Sequence, residues 1–160
     1  MRALFVVILA ACGRPAAEPE QPAPIVEPPV APGPEPAAKM AVPVAPAGAR
    51  VFFVSPADGA TVTSPVKLVF GVEGIAVKPA GDLTPSTGHH HLIISDAATT
   101  AGMVVPKDDT HIHYGQGQTE AEVPLPLGTH KLTMQFADGS HISYGEPLAA
   151  TITVTVAETP

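Results

Sequence analysis

The sequence is poor in the residues that most often cross-link or anchor a fold. It has one Cys, no Trp, two Tyr and five Phe in 160 residues. A single thiol excludes an internal disulfide and any site built from several cysteines. Lys and Arg number 8 against 15 Asp and Glu, a formal charge of −7. The basic surface needed for sequence-independent nucleic-acid binding is therefore missing. No apolar run reaches the roughly 18 residues that a membrane-spanning helix requires. The sequence also has no G-x-S-x-G elbow, H-E-x-x-H, P-loop or dinucleotide fingerprint. The expectation is a protein that is not an enzyme.

What is present divides into three compositions. Residues 1–12 read MRALFVVILAAC. Arg2 supplies a short positive start, Ala3 to Leu9 an apolar stretch, and small residues follow, as in a secretory signal. The Leu9-Ala10-Ala11-Cys12 end resembles a bacterial lipobox. That resemblance implies cleavage after residue 11 and lipid attachment at Cys12, the one thiol in the chain. Acyl chains contribute about 0.8 kcal/mol per buried CH₂, so several of them form a durable membrane anchor. The expected location is the cell envelope. Gly13 stands where some bacteria place the Asp that retains lipoproteins at the inner membrane, which favours the outer membrane.

Residues 13–49 hold 11 Pro and 10 Ala. Proline removes backbone donors and fixes φ, so neither helix nor sheet propagates. With few large apolar residues there is no core to form. Residues 12–49 read as a lipidated Cys followed by a disordered Pro/Ala-rich linker, extended in the polyproline-II manner.

From Arg50 the pattern changes. Val66–Glu73 alternates, with Val66, Leu68, Phe70 and Val72 on one side. Lys131–Phe136 places Leu132, Met134 and Phe136 together, and Thr151–Val156 sets three apolar residues against three threonines. Arg50–Ser55 and His89–Ser95 read as strands, and His111–Tyr114 as a shorter one. Ile75–Val77, Met103–Pro106 and His141–Tyr144 are weaker candidates. Thr119–Leu127 carries Pro124 and Pro126 on one side and reads as an edge. Asp138-Gly139 is a hairpin signal and Gly115–Gln118 a loop. No helical period extends over ten residues. Seven to eight short strands in residues 50–157 predict an all-β domain, an immunoglobulin-like antiparallel β-sandwich. The Cys pair and Trp of true immunoglobulin domains are absent, so this expectation concerns architecture alone.

Four stretches carry a family resemblance: residues 55–81 (SPADGATVTSPVKLVFGVEGIAVKPAG), 87–95 (TGHHHLIIS), 111–132 (HIHYGQGQTEAEVPLPLGTHKL) and 137–148 (ADGSHISYGEPL). Together they resemble the bacterial domain of unknown function family 4399 over nearly all of the folded domain. The resemblance implies no particular activity. It does imply that the HHH and HxH runs belong to the family's motif. In the last stretch this chain has Tyr144 where that pattern carries a second His.

All seven histidines lie between residues 89 and 141. In a strand, residues i and i+2 share a face. His89 and His91 therefore present two imidazoles on one side, and His111 and His113 do the same. If the two strands pair, opposing Cβ atoms lie about 4.5–5.5 Å apart. Four neutral rings can then surround a copper or zinc ion, both of which suit imidazole. His130 or His141 can add a ligand, and Asp108 or Asp109 can ligate or orient a ring N–H. His90 shares a face with Leu92 and Ile94 and reads as a hydrogen-bonded core residue, as does His130 beside Leu132. Met134 reads as core. The functional expectation is a cell-envelope lipoprotein whose His-rich sandwich binds copper or zinc for buffering or delivery. The alternative is a non-catalytic interaction module for cell-wall glycan or another envelope protein, with the histidines as a structural polar network. Neither involves nucleic acid.

Overall fold

The computed structural model of the protein describes residues 42–158. The expected signal segment 1–11, Cys12 and most of the expected linker lie outside the described residues. Nine strands follow in order: β1 (Arg50–Ser55), β2 (Thr61–Thr63), β3 (Val66–Glu73), β4 (Ala76–Val77), β5 (Thr87–Ile94), β6 (His111–His113), β7 (Glu120–Val123), β8 (Gly128–Ala137) and β9 (Ala149–Ala157). A single 3-10 turn, Glu146–Leu148, precedes β9. No helix among the described residues is long and apolar enough to cross a membrane.

The strands form two sheets in a sandwich-like arrangement. One has the order β1-β3-β7 and the other β2-β9-β8-β5-β4, with β6 also paired to β5. Period-2 alternation accounts for the core. Val66, Leu68 and Phe70 of β3 are buried against Leu132, Met134 and Phe136 of β8 and Val154 of β9, while Thr151, Thr153 and Thr155 remain exposed. The proline-flanked β7 is an edge strand, because a residue without an N–H cannot serve two neighbours in a ladder.

Three features depart from the sequence reading. The sheets are not wholly antiparallel: β2 runs parallel to β9, and β4 runs parallel to β5. Strand β2 has only three residues and too little pattern to be seen. It is tied to β9 by Gly59 N–H donating to Thr153 O at 2.8 Å and Thr153 N–H donating to Asp58 Oδ1 at 2.7 Å. Met103–Pro106 forms no strand but one bridge, between Val104 and Ile142.

The third departure, which alternation did not foresee, is that the outer face of the larger sheet is covered along β5 and the later part of β8, while the β9 threonines stay exposed. Thr133, Gln135 and Ala137 are fully buried alongside His89 and His91. The segments after β5 and after β8 cover them. Thr133 Oγ1 donates to Asp96 O, Ser143 Oγ donates to Thr99 O, and Val105 N–H donates to His141 O. Gln135 Nε2 donates to the carbonyls of Phe136, Gly145 and Leu148. The Asp138-Gly139 turn is tightened by Asp138 Oδ1, which accepts from the N–H groups of Ser140 and Ile142. A Cβ on Gly139 would meet Asp82 O at 2.0 Å, so only glycine fits there.

Candidate metal centre

Strand alternation sends His89 and His91 to the covered outer face and His90 to the inner one. The Nε2 atoms of His89 and His91 are 3.0 Å apart. Antiparallel pairing sets His113 of β6 opposite His91, and its Nε2 comes within 3.0 Å of His89 Nε2. The ring of His113 stacks on that of His91 at 4.9 Å between centroids. These three residues form a potential metal-holding group, with ligand atoms all within 4.8 Å of one another. A fourth ring arrives from the turn after β8: His141 Nε2 is 3.1 Å from His113 Nε2. His141 takes a left-handed backbone, φ 65°, a conformation that crowds Cβ against the following carbonyl. Hydrogen bonding of its N–H to Asp138 O holds it there.

The fourth ring is therefore His141, and the expectation for His111 needs correction. His111 lies one alternation further along β6, opposite Ile93. Its Nδ1 sits 2.7 Å from Asp108 Oδ1, and that carboxylate also accepts from the N–H groups of Thr110 and His111. The short loop before β6 captures the ring before it can turn to the cluster. Asp108 thus orients a histidine, though one outside the group; its own proton affinity is held well below the usual carboxylate range by the contacts to His111 and Thr110. Asp109 is exposed. His130 Nε2 is 2.8 Å from Pro126 O, a hydrogen bond that places it apart from the cluster. Met134 is fully buried in the core.

Hydrogen bonding alone does not satisfy the cluster. The contacts form a chain, His91–His89–His113–His141, through one nitrogen of each ring. A neutral imidazole nitrogen either donates one proton or accepts through one lone pair. His89 and His113 each face two partners with that single atom, so at most two of the three contacts are well made. A cation among His89, His91 and His113 can engage the lone pairs of all three rings. Zinc with Zn–N of 2.0–2.1 Å brings its nitrogens to about 3.3 Å of one another; the three successive contacts of 3.0–3.1 Å approach that spacing, while the ligand atoms of His89, His91 and His113 as a group lie within 4.8 Å.

The rings are also in the protonation state that ligands need. Burial, reinforced by the neighbouring rings, pushes His89 down to about 4 and His91 down to about 2. Burial also lowers His113, with His141 and Lys107 adding to the effect. All three are neutral at pH 7, with lone pairs available. The Nδ1 atoms of His89 and His91 are buried without a hydrogen-bond partner among the described residues. Their orientation comes from the rigid strand and ring packing, not from the carbonyl or carboxylate that fixes many zinc histidines.

His90 differs from its expected role. It is fully buried between Phe70 and Phe136, at centroid distances of 5.2 and 5.1 Å. Both of its ring nitrogens lack partners. It is a core residue but not a hydrogen-bonded one, and burial pushes it down to about 4.

One residue of the site carried no signal in the sequence. A Cβ on Gly115 would lie 2.3 Å from His113 Cε1 and 2.6 Å from His113 Nε2. The bare backbone there makes the space in which the His113 ring sits. Above the rings lies a cavity of about 270 Å³, walled by His91, His113, His141, Val104, Val105, Pro106 and Lys107. His89 is buried and lies outside this wall, and His113 is exposed.

The family described as domain of unknown function (DUF4399) matches residues 68–157. That span is more than half of the chain and contains every histidine of the cluster. No curated protein and no solved structure matches the chain.

Proposed function

We propose, on the premise that the chain belongs to the domain of unknown function 4399 family, that it is a lipid-anchored cell-envelope protein that holds a copper or zinc ion. The ligands are His89, His91 and His113, with His141 completing the set. The role is non-catalytic, buffering or delivering the metal, and Cys12 tethers the domain to a membrane, preferentially the outer one. The observation that carries this reading is the grouping of His89, His91 and His113, with ligand atoms within 4.8 Å of one another, and the run of 3.0–3.1 Å Nε2 contacts that extends from them to His141. Supporting it, imidazole ligands suit both metals, and burial keeps the rings neutral.

Calorimetric titration of the purified full chain with Zn²⁺ and Cu²⁺ tests the proposal. Binding tighter than about 10 μM, lost in the variant with His89, His91, His113 and His141 all changed to Ala, is expected. Equal binding by that variant would leave the protein as an interaction module for envelope protein or cell-wall glycan.

A further inference from the structure

The proposed ligands are all neutral. A divalent ion held by imidazoles keeps its full charge, and no carboxylate is among the residues walling the cavity above it. The nearby carboxylate of Asp108 is already committed to His111 and Thr110. The same wall contributes a second cation, Lys107. The two positive groups share one cavity wall and repel each other, moderately because Lys107 is exposed to solvent. An anion between them removes the conflict. The remaining wall, Val104, Val105 and Pro106, is apolar, and about 270 Å³ admits a few heavy atoms beside the metal.

We propose that this cavity binds a small carboxylate that adds one oxygen to the metal as a further ligand, expanding its coordination, and turns the other to the Lys107 ammonium, with its short alkyl part against Val104, Val105 and Pro106. The inference rests on the metal reading above. It makes the centre a ternary site, in which a carboxylate-bearing small molecule accompanies the ion on and off the protein. His113 and His141, at the cavity wall, are the ligands such a molecule would meet first.

The full-length protein is first saturated with Cu²⁺ in a non-coordinating buffer, with loading followed by the copper absorption and electron paramagnetic resonance spectra. Isobutyrate and its uncharged counterpart isobutyramide are then titrated. Isobutyrate should shift both spectra saturably and isobutyramide should not. Lys107→Met should weaken the isobutyrate response about tenfold, the scale of one charge-assisted contact, and Lys107→Arg should retain most of it. A copper-loaded protein whose spectra ignore isobutyrate overturns the carboxylate proposal and leaves the metal site standing. An equal response in wild type and Lys107→Met overturns it as well. Failure to take up copper at all removes both.

Discussion

At the scale of single residues, two backbone positions set the centre as firmly as the rings do. Gly115 has no side chain where a Cβ would strike His113. His113 is exposed and can swing outward, so Gly115→Ala should cost little stability while displacing a ligand. We predict at least about a tenfold loss of zinc affinity, or about 1.4 kcal/mol, with the metal-free melting temperature nearly unchanged. Calorimetry beside thermal denaturation checks both halves. His141 poses the opposite case, a non-glycine residue held at φ 65°. His141→Gly relieves that backbone crowding, worth roughly 1 kcal/mol, and removes a ring. Metal-free stability should hold or rise while metal affinity falls, a split that urea unfolding and calorimetry together would expose. The i, i+2 rule puts His89 and His91 on one face because strand geometry is regular, and strand pairing brings His113 to them. It could not find His141, which lies in a turn, and it misplaced His111, because alternation gives a face but does not foresee that Asp108 captures the ring three residues on.

Among the elements, β5 is decisive because it is buried on both faces and carries histidines on each. The inner face puts His90 among Phe70 and Phe136 with neither nitrogen satisfied. Leaving a polar group unpaired in the interior costs about 1–3 kcal/mol. His90→Phe, which keeps an aromatic ring and deletes the polar atoms, should therefore stabilise the protein by about 1 kcal/mol or more in urea unfolding. Proton linkage gives a second test at this scale. His89, His90 and His91 titrate near 6.5 when unfolded but are pushed down to about 4, 4 and 2 when folded. Below pH 6.5 the unfolded chain binds more protons, so folding stability falls as the solution is acidified. The metal-free protein should be fully stable above about pH 6.5 and lose stability steadily toward pH 4 and below, and urea midpoints across that range would show it. The β5 pattern was legible as a central strand from its mixed faces. Strand β2 was not, since three residues carry no measurable period, and β4 was read only as the weaker candidate Ile75–Val77, without its parallel pairing.

Across the whole molecule, alternation and turn residues were enough to specify a two-sheet all-β domain with its core between β3, β8 and β9. They did not foresee that the segments after β5 and after β8 fold back over the outer face of the larger sheet. That cover is made through main-chain bonds such as Gly102 N–H to Ser143 O and Ser143 N–H to Met103 O, which leave no hydrophobic signature. It is also what withdraws His89 and His91 from water and so keeps them unprotonated. The cover and a bound ion should reinforce each other. Metal at about 100 times its dissociation constant should add about 2.7 kcal/mol to folding stability, reversible by chelator and absent when the four ligands are alanine. Most direct of all is an anomalous-scattering map of a zinc-loaded crystal. The predicted result is one peak about 2.0–2.1 Å from Nε2 of His89, His91 and His113, with His141 as the fourth neighbour. A peak on His111 and Asp108 instead, or none at the cluster, would contradict it.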